Sequence, residues 1–481
     1  MAFNPLFNFT DWLNSPGLFR TVLVEISYRL QGVAKKLYVS NAAYISSGTD
    51  TPAYQAYDAL VVGELSFDRQ LSEVFTGASR YQLSTIELLP FEQVNDLLTS
   101  ATTNQQIRIL LGDKDQPLTD FSVIVDALIS DVLPKDDRVV VKIKDKAKAL
   151  AVPYLTSYYN AGVAKDTLKP CCLGRCFNMS PVLIDDFNHV YQFNNAPSQA
   201  VTAVRFNGAL VNAINYVVDL TLSTITFSIK PQGVVTCDVD GTVNATTWLQ
   251  TASELLSYIA PGANITGLPN YLLGLYIKSE RTVSSLLDEL CASVGGYWFY
   301  DRTGLLIVKQ FNGTSNTNGA NKDFDLTEEQ NLLLSRSPQR KIVPVAQMSL
   351  QYQRNFTPLQ NVAAVVFDTN LALAQQLQQV ASKVQQLNTV TKTNYPASLV
   401  LDNVASLLVN QIDAVTEINR RLTLRNKPRF IYQTEQLAGA LQFKLGDELY
   451  LETAGLNGVE ALVTRLNENI STGITKVEFW Q

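Results

Sequence analysis

Histidine is almost absent: His189 is the only one in a chain of 481 residues. Hydrolysis by Ser-His-Asp or Cys-His groups, and metal sites built on several histidines, rest on that one side chain or are excluded. His189 stands between Asn188 and Val190 in a predicted hairpin, Ile184 to Phe193, with its turn at Asp185 to Asn188. An ordinary polar turn residue fits that setting better than a catalyst. Cysteine is sparse and odd in number, five, which fits a reduced compartment and predicts no required disulfide. Cys171, Cys172 and Cys176 come closest to a metal signal. Their Cys-Cys-x3-Cys spacing matches none of the usual zinc or iron-sulfur arrangements, and Cys237 and Cys291 stand apart. They read as small apolar side chains packed in a β segment.

Charge is also scarce. Asp, Glu, Lys and Arg make up 17% of the chain, against about 25% in an average globular protein, so much of the surface is neutral and polar. Amides and hydroxyls cost less to desolvate than charges, which makes this composition compatible with large assemblies. The net charge of −6 and pI near 5.1, with no Lys/Arg run, argue against a grip on nucleic acid through its phosphates. A mildly negative wall around a DNA conduit would let DNA pass without sticking. No stretch reaches the roughly 18 to 20 apolar residues of a membrane span. The start, MAFNPLFNFTDWLNSPG, lacks a positive leading region and is interrupted by Pro5, Asp11 and Pro16. It reads as a mature N-terminal arm, residues 1–20, that docks aromatic residues on a neighbour, and cytoplasmic synthesis is expected.

Paired acids at Asp136-Asp137, Asp185-Asp186 and Glu328-Glu329 invite a glycosidase or calcium reading. Adjacent acids alternate across a strand or share a turn, and nothing sets the separation a glycosidase needs. No phosphate loop, dinucleotide fingerprint, HExxH or calcium-loop pattern occurs. No catalytic, cofactor-binding or metal residue is expected, and the chain does not read as an enzyme.

Length and 46% hydrophobic content suggest three or four domains, mainly β with α+β elements. Residues 21–165 read as a β-rich domain with one helix. Val22, Val24, Ile26 and Tyr28 alternate with Thr21, Leu23, Glu25 and Ser27, Phe91 to Leu98 is a short helix, and Ile107 to Leu111 is a strand closed by Gly112-Asp113. Residues 166–275 read as a smaller β-rich domain with turns at Asn207-Gly208 and Asp240-Gly241. Residues 276–344 form a helix-plus-hairpin domain, and 345–481 an α+β domain. In the last, Leu371 to Leu387 is a candidate helix, Asp402 to Leu424 is a clearer one, and Gln442 to Lys444, Glu448 to Glu452, Val459 to Leu466 and Ile474 to Trp480 are strands. Arg420, Arg421 and Arg425 read as a solvated helix end.

The most informative segment is TVSSLLDELCASVGGYWFYDRTGLLIVKQF, residues 282 to 311. Val283, Leu286, Leu287 and Leu290 form one helical stripe, Gly295-Gly296 ends the helix, and Asp301 to Gly304 joins two strands, Tyr297 to Tyr300 and Leu305 to Val308. Around it, in order, lie Leu37 to Ser40, Thr51-Pro52, Ser84 to Leu88, Lys169 to Phe177, Pro181 to Asp185, Tyr191 to Phe193, Tyr352 to Phe356 and Leu445-Gly446-Asp447. In that order these pieces resemble the baseplate hub and tail-tip structural proteins of long-tailed, siphovirus-like bacteriophages.

The resemblance implies tube-like β-barrel or sandwich domains and a structural role in the virion tail tip, assembled in the host bacterial cytoplasm. It further implies a trimeric hub that joins the sixfold tail tube to a threefold central fibre or spike and lines the DNA exit channel. Its expected partners are the distal tail protein, tail tube, tape-measure protein and fibre or spike, without sequence-specific nucleic acid binding. Leu-Gly-Asp occurs at 111–113 and again at 445–447, which points to the first and last regions as the two tube-like domains. The alternatives are a receptor-binding adhesin, with Tyr297 to Tyr300 stacking on sugars, and a cell-wall hydrolase.

Overall fold

In a computed structural model, the described residues are 9–13, 20–71, 77–78, 80–83, 85–144, 146–314, 324–327, 331–334, 338–437, 441–452 and 458–481. They form a mainly β, multidomain chain of several sheets and short helices.

The first sheet has nine strands, in the order Tyr44–Ile45, Ala56–Ala59, Val33–Ser40, Arg20–Leu30, Gln106–Asp113, Ser122–Lys135, Arg138–Lys144, Thr85–Leu88 and Val61–Val62. Val24, Ile26, Ile107, Ile109 and Ile129 are fully buried in one core, and each contributes roughly 1.5–3 kcal/mol of hydrophobic stabilisation. The helix Glu92–Thr99 seals this core with Val94 and Leu97. Period-two alternation predicted one buried face, yet Leu23 on the other face is buried too, beneath Tyr44, Tyr57 and Phe121. Phe9, Trp12 and Leu13, in the described part of the N-terminal arm, pack on this same core.

A six-stranded sheet centres on Cys171–Met179 and Val235–Asn244. Asp240-Gly241, expected as a turn, lies inside the second of these strands. Asp240 is held there by Arg175 through two hydrogen bonds of 2.6 and 3.0 Å. Glycine is needed at 241 because a Cβ would sit 2.2 Å from the Cys172 carbonyl oxygen. Asn207-Gly208 is a true turn, both residues having positive φ.

One large core runs through Leu173, Leu255, Leu286, Trp298, Met348, Leu350 and Ile418. The expected boundaries at 275 and 344 therefore fall within shared packing. The long C-terminal helix is Gln411–Arg425, shorter than expected, because Leu399–Val404 is a strand parallel to Val345–Tyr352. Val404, Leu407 and Leu408 reach the same core from strand and loop, which produces a helix-like spacing without a helix. Likewise the glutamine-rich stretch is helical only over Leu371–Gln378, and Ser382–Leu387 joins Val345–Tyr352 as an antiparallel strand.

The C-terminal sheet runs Phe324–Thr327, Glu448–Glu452, Val459–Asn469, Ile474–Trp480, Arg429–Leu437 and Asn331–Leu334. Residues 441–444 turn instead of forming the expected strand, with the Lys444 amide donating to Asp447 at 2.6 Å. The two Leu-Gly-Asp copies differ: Gly112 pairs with Thr21 inside a strand, whereas Gly446 has φ 79° in a turn.

A different likeness between the two sheets is present. In the first, the meander Gln106–Asp113, Ser122–Lys135, Arg138–Lys144 is closed by the preceding strand Thr85–Leu88, antiparallel to its last member. In the second, the meander Glu448–Glu452, Val459–Asn469, Ile474–Trp480 is closed in the same way by Arg429–Leu437.

Candidate functional site

The residues with the most reactive side chains lie in structural settings. His189, with φ 54°, sits in the hairpin between Val182–Asp185 and Val190–Gln192. Asp185 accepts from the amides of Phe187 and Asn188 at 2.9 and 3.0 Å, which organises that turn. Asp136-Asp137 occupies the turn between Ser122–Lys135 and Arg138–Lys144, while Glu328-Glu329 lies outside the described residues. All five cysteines are buried. Strand alternation sends Cys171 into the large core and Cys172 and Cys176 into a second core with Cys237 and Phe193. Burial pushes the thiols of Cys172 and Cys237 well up and that of Cys171 to about 12, favouring the neutral form over a thiolate ligand or nucleophile.

The mid-chain helix Val283–Ser293 and its hairpin form a keystone. Thr282 caps the helix by accepting from the Ser285 amide at 3.2 Å, and Leu286, Leu287 and Leu290 are fully buried. Tyr297 and Phe299 stack with centroids 6.1 Å apart in the C-terminal core, while Trp298 points into the large core and donates to Asp288 at 2.8 Å. These three rings are 2–3% exposed, so they cannot stack on a sugar. The adhesin reading loses three of the four residues it rested on, and Tyr300 is half-buried against the large core.

Arg420 and Arg421 are not a solvated helix end. Both pair with the buried Glu417, at 2.7 and 2.6 Å, and Arg421 donates to the carbonyls of Ala292 and Ser293 at 2.7 and 3.1 Å. Those carbonyls lie in the last turn of the mid-chain helix, so the arginine helps to cap its C-terminal end. Gly295 is required beside it, having φ 62° and an Arg420 nitrogen 2.0 Å from where a Cβ would stand. The Tyr352 to Phe356 motif is a second node. Arg354 pairs with Glu289 at 2.7 Å, and buried Asn355 donates to the carbonyls of Leu377 and Gln379 at 2.9 Å each. Asn355 also accepts from Asn178 at 2.9 Å.

Sequence reading missed the main joint between regions. Ser66–Gln70 leaves the first sheet and pairs antiparallel with Val459–Asn469, and Gly77–Ala78 pairs with the keystone strand at Tyr297 and Trp298. Arg69 and Glu468, both almost fully buried, form an ion pair across this joint. Arg302, from the keystone turn, lies 4.0 Å from Glu468, and the Leu441 amide donates to the same carboxylate at 3.0 Å. The Arg302 carbonyl accepts from the Asp126 amide at 2.8 Å. Burial raises the Glu468 pKa, but the charges of Arg69 and Arg302 and the hydrogen bonds from Arg69 and the Leu441 amide outweigh it and hold the carboxyl below its ordinary value. The available signal was Arg69 itself, an arginine in an alternating apolar run, but sequence does not name a partner 399 residues away.

Outward-facing apolar residues concentrate on the smaller sheet, Val182–Asp185, Val190–Gln192, Thr224–Phe227 and Tyr216–Asp219. Phe187 is 90% exposed at one turn, Ile214 is 83% exposed, and Val217 is 72% exposed on the edge strand. Exposed apolar side chains beside a free strand edge are the features of an association surface. Among the described residues no group of three or more His, Cys, Asp or Glu is placed to hold a metal, and no helix is long and apolar enough to cross a membrane.

No family model matches the sequence, and no curated protein matches it. Among solved structures the chain is similar to the tail protein from Neisseria meningitidis, at 10% identity over 96% of each chain with a TM-score of 0.40. It is also similar to a tail protein of prophage MuSo2 from Shewanella oneidensis, at 8% identity over 96% of this chain and 98% of that one, TM-score 0.42. A prophage tail protein from Listeria monocytogenes gives 7% identity over 96% and 94%, TM-score 0.39. With TM-scores under 0.5, these likenesses leave the functional reading to rest on the chain's own residues.

Proposed function

We propose that the chain is a non-enzymatic structural protein of a bacteriophage tail tip or baseplate, a hub assembled from three copies. The single observation that carries this reading is the repeated strand order. Each chain holds two four-strand units of the same connectivity, at 85–144 and 429–480, so three chains would present six such units in a ring. A ring of that kind meets a sixfold tail tube on one side and a threefold fibre or spike on the other. The second tube-like unit in this scheme is 429–481 together with the crossing strand at 66–70, narrower than the whole of 345–481.

The distal tail protein, the tail tube and the tape-measure protein are the remaining partners, and the hub's inner wall borders the DNA exit channel. The neutral polar surface and net charge of −6 suit both tasks, since wide subunit contacts form without desolvating many charges and DNA is not retained. The exposed edge near Ile214 and Val217 is a subunit or partner contact in this scheme.

Electron microscopy of the purified assembly, with its mass measured in solution, tests the reading. Threefold rings at three times the 53.2 kDa chain mass are expected. A protein that remains monomeric and binds no tail component would sink it.

A further inference from the structure

A cavity of about 400 Å³ lies at the seam between the large core and the C-terminal core, beyond the end of the helix Gln411–Arg425. Its apolar wall is made by Ile342, Met348, Leu401, Val404, Leu424 and Trp480. Five cations reach the same space, namely Arg420, Arg421, Arg425, Lys427 and Arg429. Glu417 neutralises the first two as a shared partner. Arg429 is fixed otherwise, its guanidinium 4.4 Å from the centre of the Trp480 ring and its Nε donating to the Leu424 carbonyl at 2.9 Å. Arg425 and Lys427 meet no carboxylate among the described residues, although Arg425 is half-buried.

A helix C-terminus favours a nearby cation, which accounts for one of the two cations left without a carboxylate, Arg425 and Lys427, and not for both beside an apolar hollow. Arginine buried against hydrocarbon without a counter-charge is costly, and an anion entering with its own apolar body removes that cost and fills the cavity. The volume is within the roughly 300–1,000 Å³ range of small-molecule sites.

We infer that this cavity binds an amphipathic anion, a single carboxylate or phosphate head on an aliphatic chain, with the head at Arg425 and Lys427 and the chain along Leu401, Val404 and Trp480. The head is planar and accepts two hydrogen bonds if a carboxylate, which suits the guanidinium fork of Arg425. The inference is independent of the hub reading, since it concerns a single chain.

Calorimetric titration of the full chain with decanoate tests it, with Trp480 as a fluorescent reporter at the wall. Saturable binding of one decanoate per chain is expected, at least tenfold tighter than decyltrimethylammonium, which carries the same tail with the opposite charge, and with acetate inactive. Arg425→Gln should weaken decanoate at least tenfold, and Leu401→Trp should block the cavity, both with unchanged circular dichroism. Vesicles of phosphatidylglycerol assign the source: Arg425-dependent co-sedimentation points to a membrane lipid, and decanoate binding without it points to a free acid. Absence of saturable decanoate binding, equal affinity for the cationic amphiphile, or an Arg425→Gln protein that binds as well as the parent would each overturn the inference.

Discussion

The first and last sheets contain the same four-strand unit but are completed in different ways. The first draws all nine strands from residues 20–144, so its hydrogen-bond partners are near in sequence. The last borrows. Val459–Asn469 pairs along one edge with Glu448–Glu452 over its first half and with Ser66–Gln70 over its second, and Phe324–Thr327 and Arg340–Ile342 add further strands from outside. A shared local pattern therefore yields one self-sufficient sheet and one that exists only when distant segments arrive. Independence of a domain is set by where the edge partners come from, not by the strands that define its pattern.

The sharpest way to break this contrast is Arg69→Met. It leaves Glu468 buried without its main partner, and a loss of about 3–5 kcal/mol in urea denaturation is expected. Adding Glu468→Leu should recover much of that loss, because an apolar pair of similar size replaces the ion pair. A cost under about 1 kcal/mol for the single variant would show that the crossing strand does not hold the sheet.

Matched truncations sharpen the comparison. Leu111 in the first sheet and Leu466 in the last are 1% and 0% exposed, and each Leu→Ala change should cost about 2–5 kcal/mol. Hydrogen exchange would separate them: Leu466→Ala should also release the amides of residues 66–70, whereas Leu111→Ala should leave those of Ile474–Trp480 protected.

Acid gives a smaller, graded effect. Because the folded state holds the Glu468 carboxyl below the ordinary 4.5, its stabilisation is fully present above that value and is lost as pH falls through the folded pKa. The difference between the parent protein and Arg69→Met should therefore narrow below pH 4.5. If chemical denaturation shows a constant gap down to pH 3, the ion pair is not its source.

The least effect on stability is expected at the outer edge. Ile214→Ser and Val217→Thr should change unfolding by no more than about 0.5 kcal/mol, yet lower the fraction of assembled protein in sedimentation. Unaltered assembly would remove that edge from the contact.

Much of the fold was legible in the sequence where neighbours along the chain decide the outcome. The helix Val283–Ser293, the Asp301 to Gly304 turn and the strand Ile474–Trp480 follow from spacing and turn chemistry alone. Failures have a common cause. Asp240-Gly241 carries turn chemistry but is held in a strand by Arg175 and by the close approach of Cys172. Residues 402–408 have helical spacing but meet a core from a strand and a loop. Arg421 looks like an ordinary helix-end cation because the carbonyls it caps belong to another helix more than a hundred residues earlier, and Arg420 because the Phe311 carbonyl it donates to is equally remote in sequence. In each case a tertiary partner outweighs a local preference worth about 1 kcal/mol or less.

The crossing strand also has a consequence in time. Ser66–Gln70 leaves the ribosome long before its hydrogen-bond partners in Val459–Asn469 are made. In that interval one edge of the strand can pair with Arg80–Leu83, but the edge that meets Val459–Asn469 stays open and Glu468 is not yet made. Non-local closure of this kind slows folding and leaves an edge open to wrong partners. Nascent chains stalled before residue 459 should therefore be cut by protease near residues 66–70, and chains released complete should not.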